Sequence, residues 1–159
     1  SIGLVGSEMC IRDSNNSLAL KYLRNRGLDN EIINSYEIGY APQGNKLEKF
    51  LLSKGISHEI MTLAGMTIKD ENKKNNFYDR FRNRIIFPIR DNRKRVVGFG
   101  GRVINSNDQP KYLNSPETPV FHKGSLLHNF SKIRPNLKNN DNLIVVEGYM
   151  DVVLSLIHI

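Results

Sequence analysis

The 159 residues carry 23 Lys and Arg against 16 Asp and Glu, a formal net charge of +7, and the basic residues gather in the middle third, which points away from a small neutral substrate and toward a polyanion such as nucleic acid. That length fits one ordinary domain, or one subdomain with the beginning of another. No apolar run reaches the roughly 20 residues of a membrane span, and Cys10, the single cysteine, excludes an internal disulfide and a thiolate metal cluster, in keeping with a reducing cytoplasm.

Residues 1–14 (SIGLVGSEMCIRDS) and 154–159 (LSLIHI) resemble translated sequencing-adapter DNA and are expected to be non-native; the apolar stretch after Asp151 also suits a helix entering a core. A first helix is expected over residues 17–26, stopped by Gly27, and a second begins after Asp29 as N-cap. Residues 36–40 (YEIGY) favour a strand before Ala41-Pro42. Leu47, Phe50, Leu51 and Leu52, closed by Gly55, predict a third helix, and Ser57 with Ile60, Met61 and Leu63 before Gly65 a fourth. Residues 70–76 are polar and aperiodic, a solvated loop joining the helical part to a strand-rich part. Residues 84–90 (RIIFPIR) and 96–104 (VVGFGGRVI) flank turn-forming residues and predict a β-hairpin, in which Gly98, Gly100 and Gly101 mark a bulge or the close approach of another backbone. A loop over 105–119 precedes a helix over 126–133, and residues 143–146 read as a short buried strand.

That strand would deliver Glu147 at its carboxyl end, with Gly148 for a tight turn and Asp151 in the first turn of the next helix. Carboxylates at the carboxyl edge of an open α/β sheet can hold Mg²⁺, a cation that takes oxygen ligands and keeps waters and substrate phosphates in its shell. A glutamate after a buried strand is equally often a surface or helix-start charge. Arg80, Arg82 and Arg84 alternate along RFRNR, so an extended segment would place all three on one face, where they could track a phosphate backbone. Arg102, Lys111 and Lys123 come from Gly- and Pro-rich segments able to approach a nucleotide or template; the plainer reading of all six is solvated charge. Residues 114–117 form a rigid polar loop, either a template-side surface or a structural turn. His122 has no Cys or His partner nearby and reads as structural, while Tyr78, Phe81 and Phe87 are core aromatics before they are stacking platforms.

The motifs RFRNRIIFPIRD, GFGGRV, PKYLNSPET, FHKG and VVEGYMDVV, in that order and spacing, resemble the catalytic core of bacterial replicative DNA primases of the DnaG type. EGYMD alone would indicate only the Toprim superfamily, which includes nucleases and topoisomerases. The resemblance implies an α/β (α+β) fold: a basic N-terminal subdomain over residues 15–140, then the first strand and turn of a Rossmann-like Toprim domain over 141–153. It implies synthesis of short RNA primers on single-stranded DNA from ribonucleoside triphosphates, with this chain a fragment inactive alone; the alternatives are a non-catalytic nucleic-acid-binding piece and another Toprim nuclease or topoisomerase. By the same resemblance Glu147 and Asp151 are catalytic, Glu147 is a ligand of Mg²⁺ or Mn²⁺ with a later Asp-x-Asp pair completing the site, and Arg80, Arg82, Arg84, Arg102, Lys111 and Lys123 contact nucleic acid or nucleotide. Zinc belongs to a separate preceding module, the replicative helicase and single-strand-binding protein are partners of other regions, and a monomer without membrane attachment is expected.

Overall fold

The computed structural model describes residues 17–73, 76–138, 142 and 144–158; Cys10 and the segment 1–14 lie outside them. Local signals set the first helices. Helix α1 (Ser17–Asn25) ends where Gly27 takes φ +83°, a left-handed conformation that costs glycine nothing. Helix α2 (Asn30–Ser35) is capped by Asp29, whose Oδ1 accepts from the Ile32 amide at 2.8 Å. Helix α3 (Lys46–Ser53) has no cap from Asn45, and helix α4 (His58–Leu63) is capped by Ser57.

A four-stranded antiparallel sheet has the order β1-β4-β5-β6, from β1 (Gly39–Ala41), β4 (Arg84–Arg90), β5 (Val96–Val103) and β6 (Tyr112–Asn114). Strands β2 (Thr67–Lys69) and β3 (Phe77–Asp79) form a separate antiparallel pair. The described residues of the polar stretch 70–76 therefore lie between the two paired strands of a hairpin. Strand β1 begins three residues later than the sequence suggests, because Tyr36 caps α2 and Glu37 takes φ +52°. Strand β6 lies inside the expected 105–119 loop, held by its pairing with β5.

The two sheet faces differ. One carries Tyr40, Ile85 and Phe87, which with Leu23, Leu28, Ile33 and Ile38 form the main core beneath α1 and α2. Met150 and Val153 of helix α6 (Tyr149–His158) complete it. The other face carries Phe81, Ile86 and Val103, all buried, with Phe81 edge-on to Phe99 at 6.3 Å. The helix expected over 126–133 is reduced to α5 (Phe130–Ile133), followed by a 3₁₀ turn at Arg134–Asn136, because Asn129 takes φ +66° and starts it late. The expected strand at 143–146 does not form: Leu143 lies outside the described residues, and Ile144 to Val146 are not in a strand. Ile144 and Val145 are 70% and 74% exposed. An apolar run becomes a strand only against a hydrogen-bonding neighbour, and none pairs with it among the described residues.

Candidate nucleic-acid and metal site

Glycines in β5 fix which side chains meet. A Cβ on Gly100 would stand 2.4 Å from the Tyr149 ring, and one on Gly101 would stand 2.9 Å from Phe81 and 3.2 Å from Arg84. Adjacent residues of a strand point to opposite faces, so Tyr149 and Arg84 lie on opposite sides of the sheet. The close approach expected at these glycines is made by side-chain rings and not by another backbone. Tyr149 stacks on Phe87 at 5.7 Å, takes the edge of His128 at 4.7 Å, and donates its hydroxyl to Asn114 Oδ1 at 2.9 Å. Burial raises the Tyr149 pKa, with the Asn114 bond opposing. The start of α6 is thereby fixed to the Gly100 face.

That face also carries Arg102, which pairs with Ile85 and with Tyr112. Its guanidinium lies 5.7 Å from the Tyr22 ring and 5.3 Å from the Tyr112 ring, and the residue is only 7% exposed. Lys111 brings Nζ to 5.8 Å from the same Tyr112 ring. The acidic turn reaches this cluster: the Cβ position of Gly148 is 2.5 Å from Asp151 Oδ2 and 3.9 Å from the Tyr112 hydroxyl. Glu147 and Asp151 are exposed, and Asp151 falls in the first turn of α6. Lys123 stands apart from this cluster. Its amide donates to Glu117 Oε1 at 3.1 Å, and it follows Phe121, whose ring covers Gly98, four residues and roughly 13 Å along the strand from Arg102.

Arg80, Arg82 and Arg84 are elsewhere. The segment between β3 and β4 is not extended, since Asn83 takes φ +52°, so period-2 alternation does not align the three. They nevertheless share one groove, of about 370 Å³, on the Gly101 side. Arg80 Nε and Nη2 donate to the Asn114 carbonyl at 3.2 and 3.0 Å, Arg82 Nη1 to the Asp79 carbonyl, and Arg84 Nη1 to the Pro110 carbonyl at 2.7 Å. Burial lowers the Arg80 and Arg84 pKa values from that of a free guanidinium. The candidate cations thus fall on two surfaces, separated by the sheet and joined at its edge by Asn114. Asn114 and Tyr149 were legible only as loop and motif residues, because their roles arise from the β5–β6 pairing.

The site chemistry suits a hard divalent cation only in part. Glu147 and Asp151 offer oxygen donors of the type Mg²⁺ and Mn²⁺ take, and Mg²⁺ is commonly held by one or two carboxylates with waters and phosphates. No cluster of three or more His, Cys, Asp or Glu that could hold a metal occurs among the described residues.

This fold is that of the DNA primase catalytic-core class. It superposes on the DnaG primase catalytic domain bound to single-stranded DNA with a TM-score of 0.80 at 42% identity, over 92% of this chain and 47% of that one. It superposes on the RNA polymerase domain of Mycobacterium tuberculosis primase, in complex with a double-stranded DNA oligomer with a 6-nucleotide overhang, with a TM-score of 0.84 at 29% identity, over 95% and 47% of the two chains. The model of the DNA primase catalytic core, N-terminal domain, matches residues 8–134, and the chain belongs to that family. The DNA primase of Legionella pneumophila is 48% identical over 145 residues, 91% of this chain and 24% of its own length. The chain thus spans about a quarter of the length of such curated relatives.

Proposed function

We propose that this chain is part of a primase, a DNA-dependent RNA polymerase that makes short RNA primers on single-stranded DNA during replication in the bacterial cytoplasm. The observation that supports the reading is that Gly148, within the Glu147–Asp151 turn, lies near the Tyr112 hydroxyl, whose ring Arg102 and Lys111 approach, in a family whose relatives are named DNA primase. In primer synthesis the 3′-hydroxyl of one ribonucleotide attacks the α-phosphate of the next and pyrophosphate leaves. Glu147 and Asp151 would hold Mg²⁺ or Mn²⁺, which supplies activation of the attacking hydroxyl and neutralisation of the leaving group. Arg102, kept in place between two tyrosine rings, and Lys111 neutralise phosphates of nucleotide, primer or template. Lys123 serves a phosphate apart from this cluster. Tyr149 holds the acidic turn against the sheet. We place the helicase and single-strand-binding protein contacts, and the zinc module, in other parts of the parent protein, with residues 141–153 as the start of a Toprim domain.

In the full-length protein, Glu147→Gln removes a charged oxygen donor and no phosphate contact. Primer synthesis with Mg²⁺ and ribonucleotides is expected to be abolished, with single-stranded DNA affinity within a few-fold of the parent. Unchanged synthesis rates refute the assignment. Because no group of three or more side chains able to hold a metal ion occurs among the described residues, the 159 residues alone are expected to bind nucleic acid without turnover; primer synthesis by the isolated chain contradicts this.

A further inference from the structure

Tyr149 stacks on Phe87, bonds Asn114 through its hydroxyl, and meets the His128 ring at 4.7 Å and 89°. Stacking restrains the ring normal to its plane and the hydroxyl bond restrains one end, so the perpendicular imidazole removes the tilt that those two contacts leave. We infer that residues 128–132 form a strap that fixes the acidic turn, with His128 as a positioning residue that acts through Tyr149 on Gly148 and Asp151. The inference rests on the reading of Glu147 and Asp151 as the acidic motif of the site.

His128 can serve as a wedge because its neighbours are anchored to the end of α2. Lys132 Nζ lies 3.8 Å from the centroid of the Tyr36 ring and donates to the Ser35 carbonyl, a cation–ring contact strengthened by partial desolvation. Its charge also faces Glu37 and Arg90, which pair with each other. The Asn129 side chain meets the Tyr36 hydroxyl. Asn129 itself takes φ +66°, a left-handed conformation that costs an L residue about 1 kcal/mol and persists only where the surroundings fix it. The bend lets His128 reach Tyr149 while Lys132 reaches Tyr36. The cavity left between Tyr36, Phe87, Arg90 and His128 is about 30 Å³, room for a water and not for a ligand, so the strap serves placement and not binding. His128 contributes shape: its Nδ1 is buried without a hydrogen-bond partner, so a phenyl ring should serve in its place.

Hydrogen exchange of the full-length protein without metal, resolved at single amides, tests the strap. The Val152 amide donates to the Gly148 carbonyl at 3.0 Å and reports opening of the turn. His128→Ala is expected to speed its exchange roughly fivefold or more, the effect of losing one aromatic pair. The Leu28 amide, bonded to the Leu23 carbonyl in the helical layer, should exchange as in the parent. His128→Phe, which keeps a ring, should restore parental exchange at Val152. Lys132→Met keeps the stem and removes the tether, and is expected to speed Val152 exchange about twofold or more without altering any group that touches Tyr149. In primer synthesis His128→Ala should lower kcat by a factor similar to that seen in exchange, with KM for ribonucleotides within about twofold, the pattern of a misplaced turn and not of a lost phosphate contact. Parental Val152 exchange in His128→Ala or Lys132→Met, equal acceleration at Leu28, or no rescue by His128→Phe overturns the inference. Local, phenyl-rescued acceleration with unchanged kcat upholds the strap and counts instead against the catalytic reading of the turn, so the two failures are separable.

Discussion

Gly100 shows how one missing methyl group positions a functional motif. The Tyr149 ring occupies the space a side chain would fill, and it cannot retreat, being held by Phe87, His128 and Asn114 on its other sides. Gly100→Ala is therefore expected to destabilise the chain by about 1–3 kcal/mol, the usual cost of overpacking, read from urea unfolding; wild-type stability contradicts the packing described. His128 gives a pH signature. Burial, then the charge of Lys132, lowers its pKa from 6.5 to about 4, and its Nδ1 is buried without a hydrogen-bond partner. A base with a lowered folded-state pKa contributes stability above its unfolded pKa and loses it as pH falls toward the folded value. Unfolding free energy should therefore decline between about pH 6.5 and 4, by at most about 3 kcal/mol from this group. In His128→Leu that part of the decline should vanish; an unaltered pH profile would show that another group is responsible.

Elements whose signals are local were readable, and those that depend on partners were not. Asp29, Ser57 and the glycines at 27, 55 and 65 mark helix ends through their own backbone or side-chain chemistry, so α1 to α4 were visible in the sequence. Strands β2, β3 and β6 have three residues each, too few to show a period, and exist because a neighbour supplies the ladder. The run at 143–146 is the converse, strong in composition and without a partner. Helix α3 illustrates the same dependence: its N-terminal amides are capped from β3, where Asp79 accepts from Leu47 and Glu48 at 2.8 Å each. Asp79→Ala is expected to cost about 1–2 kcal/mol, measured by denaturant unfolding, and no loss would show that α3 does not need this cap. Burial raises the Asp79 pKa despite those bonds. Its contribution thus falls as pH rises from the ordinary carboxylate range through the raised value, opposite in sign to that of His128.

At the scale of the molecule, the α+β class and the basic character were legible, while the division of the cations between two faces was not. Alternation along RFRNR suggested one row, but the left-handed Asn83 breaks it, and a shared groove arises only once β4 and β6 are in place. Arg102 was assigned to the Gly-rich segment for its charge, yet its position between Tyr22 and Tyr112 follows from its register against Ile85. No helix among the described residues is long and apolar enough to cross a membrane. In the proposed function the acidic motif works at the Tyr112–Tyr149 face and not at the arginine groove. Mn²⁺ added to the full-length protein with ring-labelled tyrosine reports this directly, through paramagnetic broadening of signals assigned by Tyr→Phe substitution. The rings of Tyr112 and Tyr149 should broaden first, with Tyr78 in the groove spared; broadening of Tyr78 while Tyr112 and Tyr149 remain sharp would contradict the assignment.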